Sequence, residues 1–393
     1  MSNEQINSAT DAFARLYGGA PDVIVRSPGR VNIAGEHTDY LGGLCLPMAI
    51  DLSLIVAAAR GARAGRGVTI ASSIYPELAP CEVAPVQGGA YARLGALLAV
   101  LAERLGNAGD GRVNADIAAN IYIGGDLPVG AGLSSSAAFT VGVLTALDAL
   151  HDWKLADDDV IAIAIEAEHR AGAPCGWMDP AAVLFGSEGC AVFLDCFNEE
   201  HSLVPIDTGA YSFVVIDSGV GRDLADGRYA ALRAAMESAA AELAKLDKRI
   251  EHPRFLDFAA YMSGRERLPD WATPYLDHYY LENERVKATI KAFEYGNIPR
   301  AGALMLDAHA SALENLKNGC PETDWIVENL CRDDACAGAR VTGAGFGGAV
   351  IALVETARAA DVCGAVVAEG SARFARAMRW TRVAPARGAE LIG

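Results

Sequence analysis

SPGRVNIAGEHTDYLGGLCLP, residues 27–47, is the stretch on which the reading of this chain turns. Within ten positions it carries Arg30, Glu36, His37 and Asp39, and it is punctuated by Gly29, Gly35, Gly42 and Gly43. The segment before it is strand-like and the glycines mark turns, so the charged groups are expected on a loop, where function concentrates. Carboxylates and an imidazole at this spacing suit a polyol, because each carboxylate can accept from adjacent hydroxyls. Composition alone reads the same residues as a solvated surface loop, so the remainder of the chain has to decide.

Working outward, the chain has 393 residues, 52% hydrophobic and 21% charged, with 41 glycines. This describes a globular protein of two domains or one large one, with material for a sizeable core. A net charge of −17 repels phosphate backbones and anionic lipid, which disfavours nucleic-acid and membrane partners in the absence of a basic patch. No apolar run reaches the roughly 18 residues of a spanning helix. The opening MSNEQINSATDAF lacks the basic and apolar regions of a secretory signal, so a cytoplasmic location is expected. Nine cysteines (45, 81, 175, 190, 196, 320, 331, 336, 363) include no C-x-x-C pair, and seven histidines show no ligand spacing with them. Reduced thiols and no structural zinc follow.

Strands are expected near Val23–Ile24, Ile50–Ala59 and Val68–Ser72, and a helix over Ala90–Leu105, whose leucines 94, 97, 98, 101 and 105 form one stripe. NADIAANIYIGG and GCAVFLDC read as strands, with a helix over Asp158–His169 between them. After Pro205, YSFVVIDSGV opens a second domain with helices near Gly227–Lys245 and Leu281–Phe293. Later, ARVTGAGFGGAVIALVE reads as strand, glycine turn and strand.

Two glycine-rich segments invite a phosphate reading. In DLPVGAGLSSSAAF, Pro128, Gly130 and Gly132 lead into Ser134, Ser135 and Ser136 at the start of an apolar helix. Free amides and the helix dipole would converge on an anion there, and the hydroxyls could ligate Mg²⁺. The same residues also fit a serine N-cap on a buried helix with a glycine-permitted turn. A Walker A loop is excluded, since the chain contains no Gly-Lys dipeptide. Gly343, Gly345 and Gly348 match G-x-G-x-x-G, but the strand-like AVIALVE after them cannot open the helix that a dinucleotide fold requires.

Asp179, in CGWMDP, occupies an apolar setting in which a carboxylate needs a cationic partner, and Arg30 is the candidate. Such a pair could position a substrate hydroxyl and handle its proton. Taken singly, Asp179 also reads as a turn or cap residue before Pro180.

Together these segments resemble the GHMP small-molecule kinases, and among them the galactokinase family. SPGRVNIAGEHTDYLGGLCLP is similar to that family's G-R-x-N-L-x-G-E-H-T-D-Y-x-x-G-x-V-L-P. LPVGAGLSSSAA resembles its phosphate loop, VTGAGFGGAVIALV its third motif, CGWMDP its C-G-I-M-D-Q, and LENERV and CPETD its C-terminal segments. The resemblance covers about residues 23 to 355.

It implies an α+β, two-domain GHMP kinase fold: an N-terminal ribosomal-protein-S5-domain-2-like domain over 1–205, a C-terminal ferredoxin-like domain over 206–393, and an active site between them. Asp179 matches the catalytic aspartate and Arg30 its arginine; Glu36, His37, Asp39 and Tyr229 match the sugar ligands. Pro128, Gly130, Gly132 and Ser134–Ser136 match the ATP loop, and Glu168 with Ser135 or Ser136 the Mg²⁺ ligands. The implied reaction is transfer of the ATP γ-phosphoryl to the anomeric hydroxyl of galactose, by a monomer or weak homodimer. Pro180 stands where the family has glutamine, Trp177 replaces a smaller apolar residue, Glu168 lies one residue nearer Asp179 than usual, and Arg222 and Asp223 replace His-Ser. Those departures leave room for a kinase of the same fold acting on a 2-amino sugar, pentose or uronic acid. A non-catalytic sugar sensor would not need the Asp179–Arg30 pair.

Overall fold

The computed structural model describes residues 3–61, 67–75, 77–78, 81–83, 89–106, 117–173, 175–221 and 227–392. Arg222 and Asp223 lie outside them. Among the described residues the strands are β1 (Val23–Ala34), β2 (Leu44–Arg60), β3 (Val68–Ser72), β4 (Cys81–Val83), β5 (Ala119–Gly125), β6 (Cys190–Asp195), β7 (Glu200–Pro205), β8 (Tyr211–Asp217), β9 (Cys336–Thr342), β10 (Ala349–Glu355), β11 (Arg379–Val383) and β12 (Glu390–Leu391). The helices are α1 (Asn3–Tyr17), α2 (Ala92–Gly106), α3 (Ser135–His151), α4 (Asp157–Arg170), α5 (Met178–Phe185), α6 (Arg228–Ala241), α7 (Phe258–Gly264), α8 (Thr273–Glu294), α9 (Ile298–Ser311), α10 (Pro321–Leu330) and α11 (Ala359–Phe374).

One sheet runs β12-β1-β2-β5-β3-β4, with β6 attached to β2 and β7 to β6; among the described residues only β3 and β5 pair in parallel. The other runs β11-β8-β10-β9, antiparallel throughout, which is the ferredoxin-like order. The fold is α+β, as the resemblance implied. The glycine turn at 343–348 joins β9 to β10, so a strand follows it and no dinucleotide-binding helix. Alternation along β8 divides its side chains between two cores. Phe213 and Val215 join the large core with β1, β2 and α3, while Val214 and Ile216 pack with α10 and α11.

The leucine stripe of α2 is buried as its period requires, with Leu94, Leu97, Leu98 and Leu101 no more than 2% exposed. Three expectations change. β1 continues through Pro28 to Ala34, with its register shifting between Pro28 and Arg30 and again between Asn32 and Ala34, as β-bulges do. The helix read from Leu281 begins at Thr273, where a proline in the first turn is pre-organised for a helix start; its added turns bury Leu276, Tyr279 and Tyr280. The helix read over Gly227–Lys245 ends at Ala241 and finishes in a 3₁₀ turn. Among the described residues no helix is long and apolar enough to cross a membrane.

Candidate active site

The charged cluster is not a solvated surface loop. Arg30 belongs to strand β1, Asp39 opens a 3₁₀ turn, and Arg30, Glu36 and His37 are each 3% exposed. Two glycines make this possible. A Cβ on Gly29 would lie 2.3 Å from Leu127 Cδ1 and 2.8 Å from the Leu133 carbonyl, so its absence lets the serine loop press against β1. The Arg30 amide then donates to that same Leu133 carbonyl at 3.0 Å. A Cβ on Gly176 would fall 1.8 Å from Asp39 Oδ2, so the loop before α5 can close over the Asp39 carboxylate only because residue 176 has no side chain.

Arg30 and Asp179 meet across 149 residues of sequence. The arginine Nε and Nη2 both lie 2.7 Å from Asp179 Oδ1, and Nη1 donates to the Gly132 carbonyl at 2.9 Å. Asp179 sits in the first turn of α5, where the helix dipole favours a carboxylate. This supersedes the reading of Asp179 as a turn or cap. Its Oδ2 accepts from Ser134 Oγ at 2.8 Å. Ser134 therefore does not cap α3 through its side chain; it sits at φ 55°, ψ 41°, a left-handed conformation that costs a non-glycine residue on the order of 1 kcal/mol. Gly130 and Gly132 are also left-handed, at φ 79° and 81°. The resulting turn points the first amides of the 17-residue α3 at a common space.

That space is one cavity of about 250 Å³. Arg30, Glu36, His37, Asp39, Tyr229 and Asp179 line it together with Gly130, Gly132, Ser134, Ser135, Ser136 and Glu168. Of the nucleotide-loop residues expected from sequence, Pro128 is exposed and outside the lining; its neighbour Val129 takes that place. Trp177 and Pro180 do not line it either. Trp177 packs at 9% exposure into a core cluster with Cys45, Ile161 and Val192, and Pro180 is buried in α5.

A second layer holds Glu36 and His37. Glu36 Oε1 accepts from the Gly343 amide at 2.6 Å, which ties the first motif to the third. His37 contacts the Ala344 carbonyl through Nε2 and the Tyr40 hydroxyl through Nδ1, both at 3.0 Å. Nε2 also lies 3.2 Å from the Asn318 side-chain amide, so the ring is held on both edges. Behind them Glu282 is fully buried. It accepts from the Gly35 amide at 2.9 Å and from Arg340 at 3.0 Å through Oε1, and from Arg285 at 2.6 Å through Oε2. Burial pushes its carboxyl up, but Arg340, His278, Arg285 and the Gly35 amide outweigh that and hold it at about 2.

Asp39 behaves oppositely. Burial and then the neighbouring Asp179 charge raise it from 3.8 to about 6, against the amides of Tyr40 and Met178 and the charge of Arg233. Burial drives the Tyr40 and Tyr229 phenols far upward, so both remain hydrogen-bond donors at any working pH.

Glu168 is 2% exposed, and its Oε1 accepts from Arg93 at 2.8 Å and Thr140 at 2.5 Å. Among the described residues no three His, Cys, Asp or Glu side chains gather as a metal cage. Magnesium with a nucleotide does not need one: it keeps waters and phosphate oxygens and takes one or two protein oxygens. The Glu168 carboxylate and the Ser135 and Ser136 hydroxyls face one cavity and are hard oxygen donors of that kind. Sequence reasoning passed over Tyr40, Arg93, Thr140, Glu282 and Arg340. Tyr40, Glu282 and Arg340 stood inside quoted segments; Arg93 and Thr140 carried no local signal.

Family models match in three places: the galactokinase galactose-binding signature over residues 11–60, the GHMP kinases N terminal domain over 93–187, and the GHMP kinases C terminal domain over 289–372. A galactokinase of Thermococcus kodakarensis is 35% identical over 361 residues, covering 91% of this chain and 95% of the relative. One from Streptomyces coelicolor is 32% identical across the full length of both chains. The crystal structure of Lactococcus lactis galactokinase complexed with galactose superposes with a TM-score of 0.89 at 25% identity, covering 98% of this chain and 99% of that one. Methanococcus jannaschii mevalonate kinase shares the fold at a TM-score of 0.64 and 18% identity. With these likenesses spanning both sheets and all three motifs, the chain belongs to the galactokinase family of GHMP kinases.

Proposed function

We propose that this protein is an ATP-dependent galactokinase, transferring the γ-phosphoryl group of ATP to the anomeric hydroxyl of galactose to give galactose 1-phosphate and ADP. The observation that carries the reading is the Ser134–Asp179–Arg30 chain of hydrogen bonds, which joins the phosphate-loop serines to the sugar-side cluster in one cavity. Glu36, His37, Asp39 and Tyr229 hold the sugar hydroxyls. Asp179 orients the attacking hydroxyl and receives its proton, while Arg30 fixes the Asp179 carboxylate and adds positive charge beside it. The amides at the start of α3, with Gly130, Gly132 and Ser134–Ser136, position the phosphates. Positioning and charge compensation supply most of phosphoryl-transfer catalysis, so no covalent intermediate is required. Mg²⁺, held by Glu168 and Ser135 or Ser136, would neutralise phosphate charge. The active site lies between a domain of residues 1–205 and a domain of residues 206–393, in a cytoplasmic monomer or weak homodimer. Trp177 and Pro180 stand outside the cavity lining, which supports the galactose reading.

The test is ADP release with Mg-ATP across galactose, glucose, galactosamine, N-acetylgalactosamine, arabinose and galacturonate, with strongest turnover expected on galactose. Asp179→Ala should abolish turnover while ATP still binds. Full activity in that variant refutes the mechanism, and exclusive turnover of another sugar refutes the substrate.

A further inference from the structure

The cavity lining does not include the cation that sits behind its sugar-side wall. Arg233 lies one helical turn after Tyr229 on α6, a spacing that places the two side chains on one face. Its guanidinium carbon is 5.1 Å above the ring of Tyr40, the distance of a cation–π contact. Glu237 anchors the guanidinium through Nε at 2.9 Å, and among the described residues its buried Nη1 has no hydrogen-bond partner. The Tyr40 ring in turn meets Tyr229 edge-on at 6.5 Å and His37 at 6.0 Å. All three of those rings line the cavity. One charged plane thus backs an aromatic wall whose front faces the sugar side.

We propose that Arg233 is a positioning residue for the sugar acceptor, clamping the Tyr40 ring against Tyr229 and His37. The proposal rests on the galactokinase reading and deepens it. An ionised Asp39 accepts from two hydroxyls at once, whereas the protonated form gives up one acceptor. Several groups face Asp39: Asp179 from α5, Cys175 from the loop before it, Cys45 from β2, Cys196 after β6, Tyr40 beside it, and Tyr229 and Arg233 from α6. Arg233 is the cation among these, and its effect opposes those of burial and Asp179. Removing it therefore extends protonation of Asp39 to higher pH.

The experiment measures kcat and the separate KM values for galactose and ATP, from pH 5 to 8, in wild type, Arg233→Met and Arg233→Lys. Arg233→Met keeps apolar cover on the ring but loses the charge. It should raise the galactose KM about tenfold, the scale of one lost charge interaction, leave the ATP KM unchanged, and move the acidic limb of kcat/KM toward neutral pH. Arg233→Lys keeps the charge but not the planar stack, and should restore the acidic limb while the galactose KM stays raised. A wild-type KM and acidic limb in Arg233→Met overturns the proposal, as does an equal rise in both KM values. If Arg233→Met does not fold, Glu237→Gln, which loosens the anchor alone, should shift the galactose KM in the same direction, and no shift overturns the proposal. A wild type that turns over no galactose refutes the galactokinase reading and this inference together; a wild type that does, beside unaffected variants, refutes this inference alone.

Discussion

Adding one methyl group at Gly176 tests the sugar side of the site without touching a charged residue. A Cβ there falls 1.8 Å from Asp39 Oδ2 and 2.5 Å from its Cγ, whereas an ordinary contact begins near 3.4 Å. The carboxylate must retreat by about 1.6 Å, a displacement that for a substrate-positioning group costs on the order of 100-fold in rate. Retreat also costs Asp39 the Tyr40 and Met178 amides that hold it. Gly176→Ala should therefore lower kcat/KM for galactose about 100-fold, mainly through KM, with the ATP KM unchanged. Overpacking should cost about 1–3 kcal/mol of stability. ADP release at varied galactose and fixed saturating ATP reads the effect, with Gly364→Ala in α11 as control, since a Cβ there meets nothing within 4 Å. A Gly176→Ala enzyme with the wild-type galactose KM would mean that Asp39 does not stand where the loop before α5 closes on it, and the assignment of Asp39 to the sugar would fall.

Three other outcomes follow from the same geometry. Glu282→Ala leaves Arg340 and Arg285 without their buried carboxylate, so a loss of about 3–5 kcal/mol is expected, read as a fall in Cm in denaturant. Asp39 carries a raised pKa in the folded state, so its contribution to stability is present below about pH 4 and is lost as pH rises through about 6. Asp39→Asn should accordingly raise Tm at pH 8, by no more than about 3 kcal/mol of stability, leave Tm unaltered at pH 3, and weaken galactose binding; an equal Tm change at both pH values would contradict the burial account. Glu168→Gln should raise the Mg²⁺ concentration for half-maximal rate while galactose affinity, followed by calorimetry, stays constant.

Much of this protein was legible in its sequence because the signals were local. The leucine stripe of α2, the strand in NADIAANIYIGG and the strand after Gly348 each express a period or a turn within a few residues, and the structure carries all three as read. The motifs likewise name Arg30, Glu36, His37, Asp39, Ser134 and Asp179, and these line one cavity. What the local reading could not supply was environment. Polarity placed residues 36–39 on a solvated loop, and serine before an apolar helix suggested a side-chain cap. Burial and the Asp179 carboxylate overrode both.

Only the tertiary structure decided which charges face one another. Arg30 and Asp179 are 149 positions apart, Gly35 and Glu282 are 247 apart, and Glu36 and Gly343 are 307 apart. No periodicity or propensity spans such separations; pairing at that range follows from strand order and from glycines such as Gly29 and Gly176 that let two backbones approach. The same long-range packing set the protonation of the site, since Asp39 and Glu282 are both buried carboxylates displaced in opposite directions by the partners the fold brings to them. Residue type determined which chemistry this chain could perform, and the fold determined which groups are charged and close enough to perform it.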